Sequence, residues 1–341
     1  MGKGQKILII RLSAMGDVAM TAPVLKQIAA QNPECSFVFL TRPLFSAFLD
    51  DIPNTEVFPF NPKEHKGIKG LYNLYKKLKK EKFTAVADLH YNLRSRIISL
   101  FFKISGVTVV SLDKGRVEKK LLTRKENKIL SRLKPTWKRY AEVFEKLGLN
   151  TAIENILKLQ RETLTREIVN LTGEKQTAWV GISPFAQHLQ KIYPLNKMET
   201  VIQHLSDCKI FIFGGGNEEK SIAEAWQSKY QNVVSTIGEF NIPEELKLIS
   251  NLDVMISMDS SGMHMASLKG IKVVSVWGST HPYAGFLGFG QDENNCAQIE
   301  LECRPCSIYG NKPCFRAELA CLNWLEPEII ISKTKDILKD V

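Results

Sequence analysis

The sequence KILIIRLSAMGD, residues 6–17, joins an apolar run to a short loop that ends in Gly16 and Asp17. Residues 7–10 have the β-branched composition of a buried strand, and the residues after Asp17 have the apolar spacing of a helix. A carboxylate therefore follows a glycine at the mouth of a strand–loop–helix unit, where ligands bind in open α/β sheets. The loop is not the dinucleotide fingerprint, because it has one glycine where Gly-x-Gly-x-x-Gly needs three.

Asp17 supports two interpretations. An acid at the place where a cofactor phosphate would otherwise lie suggests chemistry on a neutral partner that carries hydroxyl groups. The same side chain can simply cap the helix that follows, because acidic residues are favourable in a first helical turn. The residues alone leave both interpretations open.

The bulk composition is that of a globular protein of two domains. The chain has 341 residues, of which 44% are hydrophobic and 24% charged, and its length suits two domains of ordinary size. It has no run of about 18 apolar residues, so we expect no transmembrane helix. The N-terminal region does not have the shape of a signal peptide, and we expect a cytoplasmic protein.

Strand-like and helix-like segments alternate twice along the chain, and a polar connector over 160–177 separates the two series. This alternation predicts an α/β fold with two Rossmann-like parallel-sheet domains around a central cleft. We assign residues 1–165 and 175–325 to the two domains and 326–341 to a helix that packs back on the first. The predicted strands cover 7–11, 36–40, 84–89, 107–111, 178–183, 209–213, 233–236, 253–257 and 271–277. The predicted helices cover 18–31, 67–80, 93–104, 136–147, 197–205, 217–230, 243–250 and 261–269.

Three loops at predicted strand ends in the second domain carry signals of ligand binding. Residues 214–219, GGGNEE, allow close approach to the backbone and offer acids for ribose hydroxyls, or form a flexible turn with an acidic helix start. Residues 259–264, DSSGMH, open a helix whose N-terminus suits a pyrophosphate. There His264 either donates to phosphate or lies satisfied in the core. Lys191 either reaches a phosphate or is an ordinary exposed lysine.

Several of these motifs together resemble glycosyltransferase family 9, the lipopolysaccharide heptosyltransferases, which have the GT-B architecture. The resemblance is carried by LSAMGD at 12–17, by Asp88-Leu89-His90 with Asn92 and Arg94, by Lys191 ahead of Pro194, and by the loops 214–219 and 259–264. These features span nearly the whole chain in the order of the family. Two features depart from the pattern of many family members: Ser261-Gly262 replaces Gly-Pro, and Tyr193 replaces a tryptophan.

The resemblance implies an inverting transfer of heptose from ADP-heptose to the inner core of lipopolysaccharide, with an ADP-sugar as donor and no cofactor required. It places the general base on Asp17, the phosphate-binding lysine on Lys191, the ribose contact on Glu218 and the donor-sugar contact on Asp259. The remaining residues that it implies for the donor are Gly215, Ser260, Ser261, Gly262 and His264. Those that it implies for the acceptor beside the base are Ser13, Met15 and Gly16.

Basic residues are concentrated in two segments, 63–82 and 114–139, within a chain of net charge +10. A basic face attracts nucleic acid, anionic lipid headgroups or an acidic substrate, or it is only a solvated helix face. No nucleic-acid-binding signature accompanies the charge, so we expect no nucleic acid partner. With the resemblance, an acidic glycolipid acceptor and peripheral contact with the inner membrane face are expected. The candidate basic residues are Lys63, Lys66, Lys69, Arg116 and Lys120.

Four of the seven cysteines form the pattern Cys303-x2-Cys306-x7-Cys314-x6-Cys321. The close first pair resembles half of a structural zinc site, but no second close pair follows it. An odd number of cysteines argues against a disulfide framework, so reduced, partly buried thiols are favoured over zinc or disulfide pairing.

Two further functions remain open for the whole chain. One is a related transferase that uses another nucleotide sugar. The other is a catalytically silent scaffold that binds a nucleotide sugar. Acids in both domains, Asp17 and Asp259, disfavour the silent scaffold.

Overall fold

The computed structural model describes residues 4–339, which form two compact units. The first unit contains the chain up to Lys114 together with Thr136–Glu154, and the second contains Gly115–Pro135 and the chain from Asn155 onward. Across the described residues, no helix combines the length and the apolar character needed to cross a bilayer.

The helices and strands alternate along the chain, as the sequence predicts. The strands are β1 (Lys6–Ile10), β2 (Ser36–Thr41), β3 (Thr55–Pro59), β4 (Ala85–Asp88), β5 (Thr108–Ser111), β6 (Trp179–Ser183), β7 (Lys209–Ile212), β8 (Val233–Ser235), β9 (Val254–Met258), β10 (Val273–Val276) and β11 (Cys296–Ala297). The α-helices are α1 (Met15–Gln31), α2 (Gly67–Lys79), α3 (Leu93–Ile104), α4 (Arg116–Thr123), α5 (Thr136–Glu145), α6 (Arg166–Thr172), α7 (Leu195–Gln203), α8 (Asn217–Lys229), α9 (Ile242–Ser250), α10 (Ser261–Leu268), α11 (Ala320–Asn323) and α12 (Pro327–Lys339).

The first unit is built on a five-stranded parallel sheet with the order β3-β2-β1-β4-β5. Helices cover both faces, which explains why β1 is apolar throughout rather than alternating. Leu8 and Val38 belong to the cluster packed under α2 and α3. Phe37, one residue before Val38 and so on the other face, meets Phe144 of α5 at a ring-centroid distance of 6.4 Å.

The second unit is built on a six-stranded parallel sheet with the order β11-β10-β9-β6-β7-β8. Its core includes Ile330, Ile331 and Ile337 of α12. The described part of the predicted C-terminal helix 326–341 thus buries its apolar side chains within the second unit, whereas the sequence analysis assigned it to packing on the first domain. The apolar stripe of α12 is buried against α7 and the β9–β11 side of the second sheet.

Residues 115–135 belong to the second unit, although the sequence places them in a first domain of 1–165. The side chain of Lys119 is buried, with its Nζ 4.5 Å from the ring centroid of Phe286 and 5.8 Å from that of Tyr309. Leu122 and Leu133 form a small apolar cluster in the same unit. The sequence does not predict these contacts, because it does not distinguish a lysine that packs its aliphatic stem from a lysine that is fully solvated.

Arg304, inside the cysteine-rich segment, holds the loop that follows β10. It is 3% exposed, and its guanidinium donates to the carbonyl oxygens of Gly278 (2.7 Å), Trp277 (3.1 Å) and Thr280 (3.1 Å). It also donates to the carbonyl of Ile299 and to Oε1 of Gln298. One buried side chain thus satisfies several carbonyls that would otherwise lack partners.

We expect Arg304→Met to lower the free energy of unfolding by about 3 kcal/mol or more, because it removes the donors from buried carbonyl groups. The matched control is Arg316→Met in the same segment, since Arg316 pairs with Glu318 at the surface. The control is expected to change stability by less than about 1 kcal/mol. Urea unfolding measures both. Equal effects of the two substitutions would contradict the role of Arg304.

Candidate active site

Asp17 is the third residue of α1 and does cap that helix. The N-cap residue is Ala14, which has no side-chain acceptor, and its backbone N–H donates to Oδ2 of Asp17 at 3.2 Å. The side chain of Asp17 is 24% exposed, so it remains accessible from the loop. The capping interpretation is thus realised in the structure, and it leaves the carboxylate open to a second role.

Two buried residues that the sequence analysis did not select hold this carboxylate. Arg11 forms an ion pair with Oδ2 of Asp17 and donates to the carbonyl of Leu89 at 2.6 Å. The hydroxyl of Tyr140 lies 3.4 Å from Oδ1 of Asp17. Burial raises the pKa of Tyr140, which keeps its hydroxyl protonated as a donor. Arg11 could have been selected from the sequence, because an arginine directly after an apolar strand is unusual. Tyr140 could not, because it is 123 residues from Asp17 and no local pattern connects the two.

Asp88, at the end of β4, organises the neighbouring loop. It is fully buried, and its Oδ1 accepts from the backbone N–H groups of His90 (3.0 Å) and Tyr91 (2.7 Å). Its Oδ2 accepts from the hydroxyls of Ser95 (3.0 Å) and Ser99 (3.3 Å) on α3. Burial raises the pKa of Asp88. With its oxygens occupied by the protein, Asp88 is an anchor of the β4–α3 loop.

His90 joins this loop to the one that contains Asp17. Its Nδ1 accepts from the backbone N–H of Leu12 at 3.2 Å, which requires an unprotonated Nδ1. Burial and the nearby charge of Arg11 lower the pKa of His90 to about 3. The neutral imidazole therefore fixes the start of the β1–α1 loop.

We expect His90 to make stability depend on pH. Below about pH 6.5 the unfolded chain binds a proton at this histidine that the folded chain does not bind. The free energy of unfolding therefore decreases as the pH is lowered, by up to about 1.4 kcal/mol per pH unit. This loss continues until the folded-state pKa of His90, about 3, is reached. His90→Asn should reduce the slope, measured by urea unfolding at several pH values.

The control for this experiment is His204→Asn, which alters an exposed histidine. A residual slope is expected in the His90 variant, because burial also lowers the pKa of His281 to about 4. An unchanged slope in His90→Asn would show that His90 is not the group responsible.

In the second unit, Lys191 and Asp259 form an ion pair of 3.0 Å. Asp259 follows β9, and Lys191 ends the one-turn helix Leu189–Lys191. Their side chains are only 15% and 8% exposed, so the interpretation of Lys191 as an ordinary exposed lysine is wrong. The stem of Lys191 lies against Gly310, where a Cβ would come within 2.4 Å of Cγ of Lys191.

The N-terminus of α10 offers unsatisfied donors. Ser260 is its N-cap residue but makes no side-chain capping bond, and its buried Oγ has no hydrogen-bond partner among the described residues. Ser261 begins the helix. Gly262 packs against Ser183, since a Cβ at position 262 would lie 2.5 Å from Oγ of Ser183. His264, on the next turn, is 7% exposed. This arrangement suits an anion.

The glycine loop after β7 is closed by Glu219, the neighbour of the predicted ribose contact Glu218. Glu219 accepts from the backbone N–H of Gly215 at 2.7 Å, whereas Glu218 is exposed in the first turn of α8. Gly216 has φ = +90°, which favours glycine. A Cβ at Gly215 would meet no atom within 4 Å, so the backbone there is open to a ligand.

Sequence analysis missed the loop after β10, which positions the segment before Lys191. The N–H and Oγ of Ser279 both donate to the carbonyl of Gln190, at 3.2 and 3.0 Å. Tyr193, one of the departures from the family pattern noted in the sequence, lies in the core and donates from its hydroxyl to the carbonyl of Leu325 at 2.8 Å. That departure from the family pattern therefore concerns packing.

The predicted acceptor residues are distributed over both units. Ser13, Met15 and Gly16 are partly exposed in the loop and first turn beside Asp17. The exposed basic candidates do not share one unit: Lys63, Lys66 and Lys69 belong to the first, and Arg116 and Lys120 to the second.

The cysteine pattern does not form a metal centre in the described part of the chain. No three His, Cys, Asp or Glu side chains of residues 4–339 lie together as metal ligands, and Cys303, Cys306, Cys314 and Cys321 are free thiols. Cys306 and Cys321 are buried, and burial raises the pKa of Cys321 to about 11. The segment stabilises the loop after β10 through Arg304 and through the N–H of Cys306, which donates to the carbonyl of Ser279 at 3.0 Å.

Comparison with known proteins agrees with this arrangement. The model of glycosyltransferase family 9 (heptosyltransferase) matches residues 71–313. Lipopolysaccharide heptosyltransferase 1 of Campylobacter coli is 23% identical over 355 residues, which cover 98% of this chain and 99% of the relative. A family 9 glycosyl transferase from Veillonella parvula superposes with a TM-score of 0.77 at 16% identity, covering 100% and 99% of the two chains. E. coli heptosyltransferase WaaC, solved with ADP-2-deoxy-2-fluoro heptose, superposes with a TM-score of 0.62 at 16% identity. The superposition covers 98% of this chain and 99% of WaaC.

Two Rossmann-like parallel-sheet units, with structural neighbours among heptosyltransferases, define the GT-B fold class. The chain belongs to glycosyltransferase family 9.

Proposed function

We propose that this enzyme transfers heptose from ADP-heptose to the inner core of lipopolysaccharide with inversion at the anomeric carbon, and that it requires no metal. The relative from C. coli bears the name of a lipopolysaccharide heptosyltransferase, and the E. coli structure holds an ADP-heptose analogue. The observation that carries the proposal is the accessible Asp17 carboxylate, fixed by Arg11 and the first turn of α1.

In this mechanism Asp17 acts as the general base. It removes the proton from the acceptor hydroxyl while that oxygen attacks the anomeric carbon, and the bond from that carbon to the donor diphosphate breaks with its electrons on ADP. A single displacement of this kind inverts the configuration. Arg11 and the N–H of Ala14 fix the orientation of the base, so little reorganisation is needed when the acceptor arrives.

The leaving diphosphate is stabilised by groups of the second unit. We infer that Lys191, the N-terminus of α10 and His264 carry out the charge stabilisation that a divalent metal provides in other transferases. The Oγ of Ser260 has no hydrogen-bond partner in the described part of the chain, and this supports the inference because a phosphate oxygen would satisfy it. Ser261 contributes its N–H at the same helix start.

The remaining donor contacts follow from the open backbone and the nearby acids. We infer that Gly215 and Glu218 contact the nucleoside ribose, and that Asp259 binds hydroxyls of the sugar once Lys191 turns to the phosphates. Gly262 is required for packing against Ser183 and shapes the loop indirectly.

Acceptor binding is assigned to both units. Ser13, Met15 and Gly16 lie beside the base and are suited to the acceptor sugar. We infer that the acidic groups of a lipid-borne acceptor contact Lys63 and Lys66 of the first unit and Arg116 and Lys120 of the second. An acceptor of this kind also implies peripheral contact with the inner membrane face.

A second candidate is a related transferase that uses another nucleotide sugar. The feature that favours it is the Ser261-Gly262 pair, which departs from the Gly-Pro of the family pattern that the sequence otherwise resembles.

Asp17→Asn tests the proposed base. The amide keeps an oxygen that can accept from Ala14, so we expect folding and ADP binding to persist while kcat falls at least about 100-fold. Turnover is measured with ADP-heptose and ADP binding by calorimetry. Asp51→Asn is the matched control, because Asp51 forms only a surface ion pair with Lys26. A variant at position 17 that keeps most of its turnover removes Asp17 from the mechanism.

Lys191→Gln tests the donor site. We expect kcat/KM for the donor to fall by about 100-fold, because a charged donor to the leaving diphosphate is lost. The control Lys229→Gln, which removes an exposed lysine paired with Glu199, should change kcat/KM for the donor by less than about twofold. Thermal stabilisation by ADP, UDP and GDP is measured on the same proteins. Stabilisation of the wild type by UDP or GDP rather than ADP would favour the second candidate.

A further inference from the structure

The outer surface of α2 and α3 in the first unit combines exposed apolar side chains with an unbroken excess of positive charge. We define this α2–α3 face by its exposed apolar residues Ile68, Tyr72, Leu93, Leu100 and Ile104, and by the basic residues of the two helices. On α3, Leu93 and Ile104 are 73% and 75% exposed. Soluble surfaces carry scattered apolar residues, but several at one helical spacing mark an interaction site.

The spacing places the apolar residues of α3 on one stripe. Leu93, Leu100 and Ile104 are seven and four residues apart, and the opposite side of the helix is buried through Ile98 and Phe102. The stripe thus points away from the sheet. Tyr72 of α2 meets Phe101 of α3 edge to face at 5.4 Å, so the two helices present one continuous face.

The charge of this face has a single sign. The sequences of α2, GIKGLYNLYKKLK, and α3, LRSRIISLFFKI, contain no acidic residue. Their basic side chains are exposed and form no ion pair within residues 4–339, although Lys76, Lys79 and Arg96 lie over tyrosine rings. These basic side chains are Lys69, Lys76, Lys77, Lys79, Arg94, Arg96 and Lys103. A cavity of about 500 Å³ beside α2 is lined by Lys76, Lys77 and Lys80 and, outside the two helices, by Glu64.

We propose that the α2–α3 face docks on an anionic lipid bilayer, with the apolar stripe of α3 entering the interface and the lysines of α2 contacting headgroups. Apolar residues on one stripe with flanking Lys and Arg are the features that bind helices to membrane surfaces. Charge complementarity selects this occupant over a second copy of the chain, because two copies of the same cationic face repel each other.

The position of the face within its unit connects it to the reaction. Helices α1, α2 and α3 each begin after the carboxyl end of a parallel strand, so their N-termini lie at the same edge of the sheet as Asp17. Docking along α2 and α3 would bring headgroups next to that edge. The inference deepens the lipid-borne acceptor of the proposed function and rests on it for its role in catalysis.

Vesicle sedimentation tests the proposal on the whole protein without donor or acceptor sugar, so its result is independent of any transfer activity. We expect binding to phosphatidylcholine vesicles that contain phosphatidylglycerol, and little binding to phosphatidylcholine alone. Lys69→Gln/Lys76→Gln should weaken the partition coefficient about tenfold or more. Lys138→Gln/Lys146→Gln removes the same charge from exposed lysines in and just after α5 and should leave most of the binding intact.

The apolar stripe is tested separately. Leu100→Gln/Ile104→Gln should weaken binding about fivefold or more, whereas the exposed apolar control Leu44→Gln/Val117→Gln should not. Unchanged thermal unfolding shows that each variant is folded. The proposal is overturned if the folded wild type ignores anionic vesicles or if the face variants bind as well as their controls. It is also overturned if ultracentrifugation shows a wild-type dimer that Leu100→Gln/Ile104→Gln dissociates, because the face would then join two copies.

Discussion

The ion pair between Arg11 and Asp17 is the contact around which the first unit arranges its ligand edge. A parallel sheet covered on both faces has no place for polar side chains along its strands, so they collect where the strands end. There Arg11 ties the loop after β1 to the loop after β4 through the carbonyl of Leu89, and His90 ties the same loops through Leu12. The loop that contains Asp17 therefore has its conformation set by neighbouring strands rather than by its own short sequence.

Buried cations are compensated in three different ways, and the difference has functional meaning. Arg304 is held by carbonyl oxygens, and Lys119 packs against aromatic rings. The pair of Lys191 and Asp259 is different, because in the proposed function each partner exchanges the other for a part of the donor. A phosphate can take the lysine and sugar hydroxyls can take the carboxylate, so the pair keeps both charges satisfied in the absence of the donor.

The sequence predicted the elements whose periodicity comes from burial. β1 and α1, and in the second unit β6, β9 and α10, appear where the apolar pattern places them. The edge strand β3, TEVFP, was missed because it is half exposed and too polar to stand out. Residues 115–135 were assigned to the wrong unit because the contact of Lys119 with Phe286 spans more than 160 positions, and no local pattern records it. Asp17 and Asp259 were selected as candidates from local motifs. Tyr140 and Ser279 were missed because their contacts join residues that are far apart in the sequence.

The carboxylates after β1 and β4 and the hydroxyls of the proposed donor loops differ in how far they are satisfied. Asp88 has both its oxygens occupied, and Asp17 is held by Arg11, Ala14 and Tyr140, so the proposed base is fixed before an acceptor binds. Among the described residues, the buried hydroxyls of Ser260 and Thr280 lack partners, at a cost of about 1–3 kcal/mol each. Donors left unsatisfied in this way regain that energy when an anion binds. Rigid positioning of the proposed base and unsatisfied polarity at the proposed donor loops thus match two complementary requirements of a transfer reaction: one orients the nucleophile, and the other favours the charge that develops on the leaving group.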